Sequence, residues 1–445
     1  MITTSDNGPT SDQAGNGGSR SRSSEIDLPV WAPSPVRRLI GRYKRLEKQL
    51  ARFAPARAAV AIPRTVRFLG RSLLKKARPP ADGPPVPPAS PTLLAYVAID
   101  EAMLLLAMGP NRFPRRADYE RVSGELRDAL ALYTEAGWLA DPESFHRTPA
   151  PLTDAQVQQS WTMGLGFERL FWDSGYEPHE GEPGRERWLG YATNRTAGAW
   201  VLRHRDRARP WLVCIHGFGM GYPSVEFPTF SVGRLHKELG LNVAGPMLPL
   251  HGRRKVTRMS GEAFLSFDMM NGVHGLAQSV YDTRRLLTWI RHQGGDTIGV
   301  HGVSLGGYVT SLLAGLEDEL DMVIAGIPVS DFPRLFHAHS PTHIRLRAFE
   351  HEILGGSAEE IYRVVSPLSF VPSTPREALF IYAGLGDRMS RPRQAHDLWK
   401  HWGEPTITWY RGSHVAFKWS RDVRELVEGA MAQTLLSPRA QLATA

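Results

Sequence analysis

Residues 297–307, Thr-Ile-Gly-Val-His-Gly-Val-Ser-Leu-Gly-Gly, constrain the fold of this chain more than any other stretch. The short run from Ile298 to Val303 suits a buried central strand, and a helical pattern follows from Tyr308 to Leu316. A strand that enters a helix through Gly-x-Ser-x-Gly is a nucleophile elbow. The sharp turn holds its serine in strained geometry at the carboxyl edge of a sheet, and Gly302, Gly306 and Gly307 let strand and helix close around it. Ser304 is therefore the expected nucleophile. A glycine-rich turn can carry this pattern by chance, so its weight depends on what accompanies it.

Three further strand ends accompany it. Upstream, Trp211-Leu-Val-Cys-Ile leads into the loop His216-Gly-Phe-Gly. Downstream, Leu379-Phe-Ile-Tyr-Ala-Gly leads to Asp387, and Ile407-Thr-Trp-Tyr leads to His414. With serine, aspartate and histidine in that order, residues 188–435 resemble the α/β-hydrolase superfamily in its lipase and esterase-like branch. The resemblance implies an α/β fold, with a mostly parallel sheet and helices on both faces. It assigns Ser304 as nucleophile, His414 as base and Asp387 as acid, with the N–H groups of Leu305 and Phe218 forming an oxyanion hole.

The implied reaction is hydrolysis of carboxylic esters through an acyl-enzyme, with no metal or cofactor. The same three residues also serve thioester and amide hydrolysis and acyl transfer, and a non-catalytic scaffold with this fold is the reading from another class. Asp331 follows the strand after the elbow and is a competing acid. His216, Gly217 and His251 are candidates for the substrate pocket, loop hydrogen bonding being the other reading of His251. His301 reads as a structural strand residue. His337, His339 and His343 lack carboxylates or cysteines at ligand spacing, so they read as polar groups of a cap, not as a metal site.

Charge divides the chain. Residues 35–80 hold fourteen Lys or Arg against Glu47 alone, a net +13, so the rest carries 8 − 13 = −5. In 35–53, Val36, Leu39, Ile40, Tyr43, Leu46, Leu50 and Phe53 recur at helical spacing among these cations, and a shorter helix is expected over 64–76. Such helices either lay their apolar face on the catalytic domain or bind an anionic membrane surface, which would suit a lipid-like ester substrate. No nucleic-acid-reading motif is present.

The proline-rich run 77–91 is a stiff spacer. Beyond it, helices are expected from Thr92 as cap to Met108, over 118–139 and over 154–172. The division that follows is a polar tail (1–30), basic helices and linker (31–91), helical annex (92–185), catalytic domain (186–435) with a cap at 331–375, and a tail (436–445). The one cysteine, Cys214, sits in an apolar run and reads as a core residue. Residues 1–25 are polar and unlike a signal peptide, so the expected location is cytoplasmic, with peripheral contact at a membrane, and Asn194-Arg-Thr196 is a chance glycosylation match.

Overall fold

The computed structural model describes residues 54–77, 82–107 and 114–437. The basic helix expected over 35–53, the first tail and residues 438–445 of the last lie outside them. The described chain begins with helices α1 (Ala54–Ala77), α2 (Pro91–Ala107) and α3 (Arg116–Glu135). α1 starts ten residues before the expected 64 and runs through Pro63, at the cost of one backbone hydrogen bond. Ser90, not Thr92, caps α2, accepting a 3.2 Å hydrogen bond from the Leu93 N–H with Pro91 at the first helical position.

The helix expected over 154–172 is instead a hairpin of β1 (Gln156–Thr162) and β2 (Leu165–Asp173). Met163 and Gly164 turn it at φ 51° and 78°, the two positive angles that a two-residue loop requires. β2 buries Leu165 and Phe167 on one face and Leu170 and Trp172 on the other. Burial on both faces removes the simple alternation that identifies a strand, which is why the run imitates a helix. The sheet thus starts at Gln156, and Trp188, where the family resemblance begins, lies in the short helix α4 (Arg185–Leu189).

The remaining elements alternate: β3 (Thr196–Leu202), β4 (Trp211–Ile215), α5 (Pro223–Phe230), α6 (Val232–Lys237), β5 (Asn242–Pro246), α7 (Met269–His292), β6 (Ile298–Val303), α8 (Leu305–Leu316) and β7 (Met322–Gly326). The segment expected as a cap holds α9 (Phe332–His339), α10 (Thr342–Glu350) and α11 (Ala358–Ile361); then come β8 (Leu379–Gly384), α12 (Pro392–His401), β9 (Thr406–Tyr410) and α13 (Arg421–Thr434). The strands form one sheet in the order β1-β2-β3-β5-β4-β6-β7-β8-β9, antiparallel as far as β5 and parallel from there. The order reverses around β4, between β5 and β6, and such a switch point opens a crevice at the strands' carboxyl ends.

Buried polar groups tie the layers together. Arg254 pairs with Asp282 at 2.9 Å and donates to the carbonyls of Met247 and Asn194, while its Nε has no hydrogen-bond partner among the described residues. The Asn194 side chain is buried, donating to Gln278 and accepting from the Leu250 N–H. Its glycosylation match is therefore folded away from any enzyme. Tyr133 of α3 reaches across to donate to Glu182 at 2.5 Å, fastening that helix to the sheet domain.

Candidate active site

Ser304 stands between β6 and α8 with φ 58° and ψ −115°, a backbone region that costs a non-glycine residue roughly 1–3 kcal/mol and survives only where the surroundings enforce it. The enforcement is visible: the Ser304 N–H donates to the Gly326 carbonyl at 2.9 Å, and a Cβ added at Gly306 would stand 1.9 Å from the Ile215 carbonyl oxygen. Strand β4 therefore presses directly on the elbow. Gly217, just past β4, also faces the elbow, since a Cβ there would lie 3.2 Å from the Val303 carbonyl oxygen and 3.4 Å from Cβ of Ser304. Leu305 opens α8, where the first N–H groups have no partner inside the helix, and Phe218 occupies the turn after Gly217.

Asp387 and His414 meet at the carboxyl ends of β8 and β9. The Nδ1 of His414 donates to Oδ2 of Asp387 at 2.7 Å. The other carboxylate oxygen accepts the N–H groups of Met389 and Ser390 at 2.8 and 2.9 Å, and the Ser390 hydroxyl lies 3.1 Å from Oδ2. The acid is thus fixed at both oxygens. Burial pulls the His414 pKa down, but the Asp387 charge, its hydrogen bond and the charge of Asp100 outweigh that and hold it above the ordinary histidine value. No hydrogen bond joins the Ser304 hydroxyl to His414 among the described residues; in unliganded sites such bonds are often long until substrate binds.

Other expected residues take different places. Asp331 caps α9, accepting from the Arg334 N–H at 2.8 Å, so the competing acid serves a helix end. His216 and His251 are fully buried and do not line an open pocket. His216 accepts from the Leu248 N–H at 3.1 Å through Nε2, tying the loop after β4 to the chain after β5. His251 lies 2.8 Å from the Pro249 carbonyl through Nδ1, and burial first, then the neighbouring His216, drive its pKa well below the usual value. His301 bonds the Tyr382 hydroxyl at 3.0 Å inside the sheet, and burial lowers it to about 3. His339 bonds the Met389 carbonyl at 2.7 Å, bringing α9 onto the loop that carries Asp387. A small cavity of about 10 Å³ among His146, Tyr176, His179 and Tyr281 shares no residue with the site.

Sequence reasoning missed the groups behind the site. Asp100 and Glu101, the two charged residues in the otherwise apolar helix expected up to Met108, are 0 % and 2 % exposed and face the loops of Asp387 and His414. Two acids on the buried stripe of a helix that also carries Leu93 and Val97 were the available signal.

No family model matches the chain. It is 42% identical over 362 residues to Uncharacterized protein MT2702 of Mycobacterium tuberculosis strain CDC 1551, covering 80% of this chain and 87% of that one. Uncharacterized protein Rv2627c of strain H37Rv matches with the same identity and coverage. Among solved structures, acetyl xylan esterase 1 from Thermoanaerobacterium sp. JW/SL YS485 is similar at TM-score 0.47 and 13% identity, over 68% of this chain and 93% of that one. The acetyl xylan esterase from Paenibacillus sp. R4 gives 0.45 and 15%, over 66% and 97%. At such scores these likenesses carry no argument; the strand order and the elbow define the fold.

Proposed function

This chain belongs to the family of those two Mycobacterium tuberculosis proteins and has the α/β-hydrolase fold, and we propose that it is a serine hydrolase cleaving carboxylic esters through an acyl-enzyme. The observation that carries the reading is the buried His414–Asp387 hydrogen bond of 2.7 Å, at strand ends beside an elbow serine. In this reading His414 Nε2 takes the Ser304 proton as the hydroxyl attacks the ester carbonyl, while Asp387 keeps the proton on Nδ1 and stabilises the imidazolium. The N–H groups of Leu305 and Phe218 receive the oxyanion, each such donor contributing about 2.7–4 kcal/mol. His414 then protonates the departing alcohol, and water activated by the same imidazole clears the acyl group.

Intact-mass measurement after treatment with a fluorophosphonate tests this without choosing a substrate. One adduct on the wild type and none on Ser304→Ala is expected, followed by turnover in ester, thioester and amide panels. A folded wild type that takes up no label would overturn the proposal.

An anionic membrane surface fits the exposed side of α1. Ile62, Val66, Leu73 and Leu74 are all more than half exposed, at 51–71%, beside exposed Arg67, Arg71, Lys75 and Lys76. Each cation near such a surface contributes about 1 kcal/mol, and the apolar side chains can enter the headgroup region. Among the described residues no helix is long and apolar enough to cross a membrane. Sedimentation of the full chain with vesicles should show binding to anionic and not to neutral lipid, weakened by Leu74→Glu; equal binding to both would refute it.

A further inference from the structure

Helix α2 reads as apolar from Leu93 to Leu106 apart from Asp100 and Glu101. It packs on the loop of the acid: a Cβ added at Gly386 would stand 2.7 Å from Cδ1 of Leu93 and 3.0 Å from Cγ2 of Val97. One turn further on, Oδ2 of Asp100 accepts the backbone N–H of His414 at 2.8 Å and that of Arg388 at 3.0 Å, and Oδ1 accepts the Val415 N–H at 3.4 Å. One carboxylate thus grips the backbone of the base itself and of the residue after the acid. Glu101 reinforces the contact, pairing with Arg388 at 2.7 Å and with Arg64 of α1 at 3.4 Å.

A helix seeking only packing would place a leucine at this position. A fully buried carboxylate is expensive, and among the described residues no cationic side chain pairs with it directly. Its compensation comes from the loops it holds and from the charge His414 acquires. We propose that Asp100 is a positioning residue of the hydrolase site, fixing the loops of Asp387 and His414 against each other and adding a second negative charge that favours the His414 imidazolium. The proposal rests on the serine hydrolase reading above.

The electrostatics agree with this geometry. Burial first, then the nearby Asp387 carboxylate, raise the Asp100 pKa from 3.8 to about 6, against the lowering effects of His414 and the two N–H donors. Around the pair stand Asp387 and Arg388 from the loop after β8, Glu101 and Arg64 from the helices, and the Tyr410 hydroxyl, which burial keeps protonated. His339 of α9, lowered to about 4 by burial, is neutral across the working range.

The test is Asp100→Asn, whose carbonyl oxygen can keep the two shorter N–H bonds while the charge is removed. Fluorophosphonate labelling of Ser304 should slow roughly 10- to 100-fold. The acidic limb of its pH profile should move to lower pH, and ester KM should stay near the wild-type value. Because the folded pKa of Asp100 is raised, its anion opposes folding above about pH 6, so the variant should melt at or above the wild-type temperature at pH 8. A variant with wild-type rate and pH profile would overturn the proposal, as would one that loses fold and activity together.

A second measurement needs neither the variant nor turnover. The His414 ring resonance, assigned by its loss in His414→Ala, should titrate above the ordinary value with a second inflection near the Asp100 pKa of about 6. A single unperturbed step would overturn the proposal. If wild-type protein takes no label yet shows both inflections, the hydrolase reading fails while the coupling stands.

Discussion

Replacing Asp387 by asparagine changes one atom, and the structure fixes how the new amide must sit. Oδ1 is held by two N–H donors, Met389 and Ser390, at 2.8 and 2.9 Å, so the amide oxygen takes that place. The NH2 group then occupies the Oδ2 position, 2.7 Å from Nδ1 of His414. There it donates where the carboxylate accepted, and the ring answers by carrying its proton on Nε2. A base already protonated on the side that must receive the Ser304 proton cannot act. The same substitution of a triad acid in a serine protease lowers kcat about 10⁴-fold, which is roughly 5.4 kcal/mol of transition-state stabilisation. The assay is the second-order rate of fluorophosphonate labelling together with ester turnover, with thermal melting to confirm the fold. A folded Asp387→Asn protein that keeps more than a tenth of the wild-type rate would refute Asp387 as the partner of His414.

The remaining predictions concern the elbow and pH. Ser304→Gly should be more stable than Ser304→Ala by about 1 kcal/mol in urea unfolding, because only glycine is relaxed at φ 58° and ψ −115°; equal stabilities would remove the strain argument. Gly306→Ala drives a methyl group to 1.9 Å from the Ile215 carbonyl and should cost roughly 1–3 kcal/mol while slowing labelling of Ser304. Labelling should decline as pH falls through the raised His414 pKa, so the acidic limb should lie above the ordinary histidine value; a limb below it would contradict the charge arrangement. The sign for stability is opposite. What His414 contributes is complete below its unfolded pKa and is lost as pH rises through the folded one, which urea unfolding across that range should show.

The elbow was legible because its information is local: a buried strand, four glycines and a serine lie within eleven residues. Asp387 and His414 were legible for a related reason, each following a short strand-like run, β8 buried throughout and β9 at the edge of the sheet. The β1–β2 hairpin was not, since β2 faces the two core layers at once and its pattern carries no period of two. Met163-Gly164 was the turn signal that could have broken the tie. His216 and His251 sit on the expected loops, but their side chains turn inward to backbone partners near Leu248 and Pro249, a choice that tertiary packing makes. Asp100 was hidden by distance. Its partners Arg388 and His414 lie 288 and 314 positions away, and no periodicity links them.

That separation also orders events on the ribosome. Chains emerge at about 5–20 residues per second, so roughly 15–60 s pass between the appearance of Asp100 and that of the histidine it holds, 314 positions later. Until Gly386 and Arg388 appear, late in that interval, α2 has neither the loop it packs on nor a loop donor for its carboxylate. The elbow serine appears in the meantime with no base beside it. On the proposed mechanism a nascent chain is therefore an inert one: the helix made early and the loop made last have to find each other before any ester could be cut, and a product truncated ahead of His414 would carry the proposed nucleophile without its base.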